Sequence, residues 1–305
     1  ATQWEATGMA NTDTFSGYHP TVNFIYFALV LFFGMIFMHP ACLAIALFGA
    51  AAYAVRLKGR KAAGFGVKFV LPVVLLAVVI NPVFNHAGET VLAYLSNGNP
   101  ITKESIAYGF AAGAMLAAVL MWFYCSTEVL TSDKFVYIFG RVSPALALIL
   151  SMTLRFVPKF KRQMELTRQA RRSVGCDTAN GSVLSRTKNA ITVLSGMITW
   201  SLENAIDTSD SMKSRGYGLK HRSSFSIYRF DRRDRLMLVW LLLCGGIILL
   251  AAFTGGLGWR YFPNIRGALS PMTICALAAY LALCLTPTAI DLREERRWKS
   301  LISKT

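Results

Sequence analysis

Six stretches of the 305-residue chain are apolar over a length that suits a bilayer crossing: 20–38, 40–55, 67–84, 106–125, 236–254 and 269–290. A helix that spans the hydrocarbon core needs about 17 to 25 mostly apolar residues. The second stretch is short by that measure and is expected to tilt or to lie partly at the interface. Between the fourth and fifth stretches, over 127–234, the pattern changes to two long helical repeats with polar and basic faces. The expected fold is all-α: a polytopic membrane protein with about six transmembrane helices. The chain reads as a single membrane domain, 1–305, with an insertion at 127–234 that carries a pair of long helices. No internal repeat or low-complexity tract breaks this organisation.

The first of these helices starts at Ser143-Pro144, because proline is well tolerated in a first helical turn, where its missing N–H would be unsatisfied anyway. About thirty residues at 1.5 Å each give roughly 45 Å of helix. Its first half is apolar all round, and its second half sets Phe160 and Met164 against a basic face. Pro158 removes the bond to the carbonyl of Leu154 and predicts a kink between the halves. In the second helix, Ile191, Leu194, Ile198 and Ala205 form an apolar stripe widened by Val193, Met197 and Trp200. Ser195, Thr199, Glu203 and Asp207 follow one another at i, i+4 on the other face, as amphipathic spacing requires. Gly216 and Gly218 are the expected stops. Both helices end alike, in "ELTRQARRSVGCD" (165–177) and "DTSDSMKSRGYGLKHRSSF" (207–225), where arginine is followed by glycine.

Composition fits a membrane protein: 54% of residues are hydrophobic and only 16% charged, against about a quarter charged in soluble domains. The net charge of +16 sits in the flanks of apolar runs, without the aromatic-basic interleaving of single-strand binders, which argues against nucleic acid. Lysine and arginine are retained on the cytoplasmic side. Arg56, Lys58, Arg60 and Lys61 therefore place the loop after the second span there, together with 127–234 and the tail "REERRWKS". Six spans then leave both termini cytoplasmic, in the plasma (inner) membrane. The loops at 85–104 and 255–267 carry few basic residues and face outward; the former holds the turn residues Ser96-Asn97-Gly98-Asn99-Pro100. If the two helices of the insertion were themselves spans, 158–188, with eight basic and two acidic residues, would lie outside. That reverses the charge rule. The opening "ATQWEATGMANTDTF" lacks the basic and apolar regions of a signal peptide.

Candidate chemistry is sparse. Six cysteines form no C-x-x-C pair, and His19, His39, His86 and His221 have no ligand spacing, so no metal or other cofactor is expected. His19-Pro20 and His39-Pro40 read as span ends. There is no phosphate-cradling G-x-x-x-x-G-K-[ST], no H-E-x-x-H and no G-x-S-x-G. The spans lack the carboxylate or histidine pairs of an ion relay. Glu203, Asp207 and Asp210 are the one acidic face, and an integral-membrane enzyme using it is the alternative to a non-catalytic protein. On spacing alone, Arg171, Arg172 and Arg215 could equally anchor anionic lipid, each contributing about 1 kcal/mol.

Two stretches carry a family resemblance. "LSMTLRFVPKF" (150–160), with Arg155, Phe156 and Pro158, resembles a signature of the T component of energy-coupling factor transporters, a family that includes the membrane component of cobalt and nickel importers. "ITWSLENAIDTSDSMKSRGYG" (198–218) resembles the family's second coupling helix and its closing Ala-Arg-Gly-Tyr motif. The resemblance implies a scaffold, not an enzyme, that joins two ATP-binding-cassette ATPase subunits to a substrate-binding membrane subunit, the S component. The cargo would be a vitamin, a vitamin precursor or a transition-metal ion. On this resemblance Arg215 inserts into one ATPase, with Gly216 beside it and Ser214 in the alanine position. In the first motif Arg172 is the best match, Arg171 stands at the expected alanine and Ser173 at the expected glycine. Both Arg171 and Arg172 are thus candidates for insertion. Arginine suits the role because its planar fork holds a carboxylate bidentately, as lysine cannot.

Overall fold

The computed structural model describes residues 13–94, 100–175, 182–217, 228–267 and 270–302. Gly218, His221 and the turn residues 96–99 lie outside them. Among the described residues the helices are α1 (Pro20–Ile36), α2 (Pro40–Lys58), α3 (Arg60–Phe65), α4 (Leu71–Phe84), α5 (Lys103–Val129), α6 (Ser132–Val142), α7 (Pro144–Ser173), α8 (Val183–Ser214), α9 (Arg232–Phe253) and α10 (Pro271–Ile302). A π turn, Gly66–Val70, joins α3 to α4. Two antiparallel pairs, β1 (Val91–Tyr94) with β2 (Pro100–Thr102) and β3 (Trp259–Arg260) with β4 (Arg266–Gly267), complete the chain. These hairpins and α6 are not among the elements expected from the sequence, although α6 is strongly amphipathic and turn residues stand between β1 and β2.

Among the described residues, five helical segments are long and apolar enough to cross a membrane: Pro40–Lys58, Arg60–Phe84, Lys103–Val129, Arg232–Phe253 and Pro271–Leu301. A further apolar helix, Pro20–Ile36, is shorter, at 17 residues. The second span is a full 19 residues, longer than its apolar run, because Arg56 and Lys58 continue the helix. The protein is therefore an all-α, multi-pass membrane protein.

The chain divides into two compact units, 1–131 with 228–305, and 132–227. In the first, the starts of α1 and α2 are built alike. The Nδ1 atoms of His19 and His39 accept from the backbone N–H of Thr21 and Ala41, each with proline in the first turn. The two His-Pro pairs are thus helix caps, as expected of span ends. The core is aromatic where helices meet broadly: Phe15, Tyr26, Phe27, Tyr53 and Trp122 are almost wholly buried. Phe15 meets Tyr26 edge-on at 4.9 Å, and Tyr26 meets Trp122 at 5.9 Å. Elsewhere small residues let backbones approach, as expected where lipid supplies no hydrophobic drive between helices. Gly109 and Gly113 of α5 receive Val78 and Val74 of α4; a Cβ on Gly109 would lie 3.3 Å from the Val78 Cα.

Contacts at one end of this unit collect the basic residues. Arg56 pairs with Glu295 at 2.7 Å, Lys58 pairs with Glu128, and the Arg233 guanidinium lies 4.3 Å from the Tyr18 ring centre. Backbone N–H groups of Thr14 and Phe15 donate to Asp291, and that of His19 donates to Asp234 at 3.0 Å. The other end holds His39, Trp259 and the Tyr261 hydroxyl, which donates to the Met38 carbonyl at 2.8 Å. Glu104 sits buried beneath the first hairpin, accepting from the N–H and hydroxyl of Thr90.

Candidate functional site

The second unit is built around α7 and α8. α7 runs for 30 residues with Pro158 inside it, and α8 for 32. Their seam falls on the family signature. The Phe160 ring meets Trp200 edge-on at 5.4 Å, and the Lys159 ammonium lies 5.5 Å from the Trp200 ring centre while donating to Asn204. Phe156 reaches Phe160 at 6.2 Å; Arg155 and Pro158 face outward. Pro158 borders a recess of about 530 Å³ along α7 that Lys161, Arg162, Glu165, Leu166 and Gln169 also line. The expected apolar stripe of α8 needs correcting. Val193 and Met197 are buried and Trp200 half-buried, whereas Ile191, Leu194 and Ile198 are 61%, 58% and 53% exposed. The seam is one residue wide per turn, so the other half of the stripe continues, with Leu202 and Ile206, as an uncovered apolar band.

Both helices close with a left-handed glycine, Gly175 at φ 78° and Gly216 at φ 76°. At the end of α8 the Gly216 N–H donates to the Lys213 carbonyl and the Tyr217 N–H to that of Met212, both at 3.0 Å. This is the Schellman pairing, which satisfies the last helical carbonyls. At the end of α7 the Gly175 N–H donates to the Arg172 carbonyl at 3.0 Å.

The arginines sit differently on these two ends. Arg215 is the C-cap of α8, directly before the turn glycine, and is exposed. Arg172 is exposed too but lies inside the last turn of α7, three residues before Gly175; the C-cap position is held by Val174, 79% exposed. Arg171 is half-buried, and its Nη2 donates to Asn189 Oδ1 of α8 at 3.5 Å. The hydroxyls of Ser173 and Ser214 donate back to the carbonyls of Gln169 and Ser211, so neither donor is available to a partner. Asn189 and Lys159 were not singled out by sequence. The four-residue spacing of Asn189 with Val193 and Met197 is the signal that could have found the former; Lys159, next to Phe160, has no such signal.

Glu203, Asp207 and Asp210 are exposed carboxylates, with Asp210 3.9 Å from Lys213. Among the described residues no cluster of histidine, cysteine, aspartate or glutamate could hold a metal ion.

The sequence profile of the family described as cobalt transport protein, CbiQ, matches residues 19–226, from the first cap through both helix tips. The energy-coupling factor transporter transmembrane protein EcfT of Lactobacillus helveticus is 34% identical over 106 residues, 34% of this chain and 38% of the relative. Its namesake from Lacticaseibacillus paracasei is 32% identical over 106 residues, so the chain spans about two fifths of either relative's length. The EcfT of Listeria innocua is 27% identical over 238 residues, 72% of this chain and 88% of that protein. With its apolar helices and its matched stretch ending beyond the second arginine tip, the chain belongs to the CbiQ family, described as cobalt transport proteins.

Proposed function

We propose that this chain is the non-catalytic scaffold of an importer, joining two ATP-binding-cassette ATPase subunits to a substrate-binding membrane S component that carries a vitamin or a transition-metal ion. The insertion at 127–234 and both termini are cytoplasmic on this reading, and α7 and α8 are the coupling helices. The observation that carries it is the pair of helix ends, each closed by a left-handed glycine and each presenting an arginine. Arg215 of the second tip and Arg172 of the first dock the ATPases, with Ser214, Gly216 and Ser173 shaping the two ends. Of the signature residues Arg155, Phe156 and Pro158, Phe156 supports them from the α7–α8 seam, while Arg155 and Pro158 face outward. The uncovered band Ile191, Leu194, Ile198, Leu202 and Ile206 supplies apolar surface for the S component or the bilayer. Movement of the ATPases on binding ATP would then pass along two helices of about 30 residues to the membrane.

The two docking arginines contribute unequally. Truncating one partner of a buried interfacial charge pair costs about 2–5 kcal/mol, and a partly exposed pair costs about 1 kcal/mol or less. Arg215 projects from the helix end and Arg172 from the side of the last turn. Arg215→Ala is therefore expected to abolish copurification of the ATPases and ATP-driven uptake, and Arg172→Ala to weaken both mildly, at matched membrane levels. Full copurification by both variants would return the arginines to a lipid-anchoring role. ATP hydrolysis by the chain alone, surviving repurification, would favour an enzyme using Glu203, Asp207 and Asp210.

A further inference from the structure

We infer that Arg171 is a positioning residue that clasps the tip of α7 to α8 through Asn189, leaving Arg172 as the one arginine of that tip that meets a partner. The partner half of this inference rests on the docking role proposed above; the clasp does not.

The seam has one register. In the second half of α7 the half-buried positions are Phe156, Phe160, Gln163, Thr167 and Arg171; opposite them, the covered positions of α8 include Asn189, Val193, Met197, Trp200 and Asn204. Steps of three and four residues keep each set on a single helix face. The contacts run antiparallel, Lys159 with Asn204, Phe160 with Trp200 and Arg171 with Asn189. From Phe160–Trp200 to Arg171–Asn189 an advance of eleven residues along α7 is matched by a retreat of eleven along α8, and Arg171–Asn189 is the pairing nearest the tip.

The guanidinium is committed to that seam. Its Nη2 donates to Asn189 Oδ1, and its Nε is buried. Arg172 lies one residue further, about 100° around the helix, and is exposed. A rigid planar fork cannot hold Asn189 and a partner's carboxylate on opposite sides of the helix at once. The other tip shows the same division. When the two ends are superposed on their left-handed glycines, Met212 falls where Arg171 stands and Lys213 where Arg172 stands; Met212 is half-buried and Lys213 exposed. The position four residues before the glycine therefore faces inward at both tips. It is filled by an apolar side chain in α8 and by a clasping arginine in α7.

The test uses the full chain in nanodiscs, with spin labels at the exposed positions Ala170 and Ser185 in a cysteine-free background. The distance between the labels is read without ATPases. Retention of the ATPase subunits that copurify with the wild-type chain is read separately. Arg171→Ala and Asn189→Ala should each broaden the distance distribution and lower retention by about five-fold or less, the scale of one exposed polar contact. The double variant should be no worse than either single one. Asn189→Asp, which keeps an acceptor for Arg171, should preserve a narrow distribution and full retention. Arg172→Ala should lower retention while the distribution stays narrow. Loss of retention in Arg171→Ala with an unchanged distribution would mean that Arg171 itself docks, and would overturn the inference. An unchanged distribution in both Arg171→Ala and Asn189→Ala would mean that there is no clasp. Full retention in both Arg172→Ala and Arg215→Ala would sink the docking role, while the label distances would still decide the clasp.

Discussion

His39 concentrates several constraints in one side chain. Its Nδ1 accepts the capping bond from Ala41, its ring meets Trp259 edge-on at 5.0 Å, and it is 4% exposed. Burial holds its pKa below the ordinary value of the imidazole. Protonation would put a second N–H where the cap needs an acceptor and would place a charge in an apolar site. A histidine with a lowered folded pKa contributes stability that is present above its unfolded pKa of about 6.5 and is lost as pH falls below it. The melting temperature of the purified protein should therefore fall between pH 7.5 and pH 5.5. Asparagine also caps helices through a side-chain oxygen and does not titrate, so His39→Asn should flatten that fall while matching wild type at pH 7.5. An unchanged pH profile in the variant would show that other groups carry the acid sensitivity. The His-Pro pair was legible in sequence as a span end. Its burial was not, because Trp259 arrives from more than two hundred residues away.

Among elements, the span Arg60–Phe84 is the least covered, with 6% of its most apolar window buried, whereas the other candidate spans are between 33% and 44% buried. Its neighbour is α5, met through the glycines at 109 and 113. The π turn at Gly66–Val70 precedes Pro72, whose ring would clash with the carbonyl four residues back in a regular turn. A wider turn relieves that clash. With so few other contacts, the glycine seam should govern how the span is held. A Cβ on Gly113 would lie 3.1 Å from Val74 Cγ1 and 3.3 Å from its carbonyl oxygen. Gly113→Leu should destabilise by about 1–3 kcal/mol, the usual range for overpacking a tight contact. Reversible unfolding in mixed micelles would measure it. At Gly246, which has open space around it, the same substitution should cost much less. Equal losses at the two sites would mean that close approach is not what Gly113 provides.

At the scale of the whole molecule, charge asymmetry sets the expected orientation. Arg56, Lys58 and Arg233 gather at one end of the first unit, tied there by Glu295, Glu128 and Tyr18. Single cysteines at Lys61, Lys188 and Arg296 should react only with reagents applied from the cytoplasmic side, and one at Asn97 only from outside. Labelling of Lys188 from outside would turn the insertion over and remove α7 and α8 from any cytoplasmic partner.

What sequence determined by itself is what depends on neighbours along the chain. The six apolar runs became helices because each holds enough contiguous apolar residues. The helix starts at His19, His39 and Ser143 and the stops at Gly175 and Gly216 follow from local backbone chemistry, which proline, a capping acceptor or a left-handed glycine supplies within a few residues. The offset of Arg172 from its turn glycine, against the adjacency of Arg215 and Gly216, was legible for the same reason. Tertiary structure decided which face of each helix is covered. The apolar stripe on α8 was too wide for its partner, so that Val193 and Met197 entered the seam while Ile191, Leu194 and Ile198 stayed out. It also decided the fate of two adjacent arginines that sequence could not tell apart. A step of one residue turns a side chain by about 100°, and only the arrival of Asn189 on α8 makes one direction inward and the other outward.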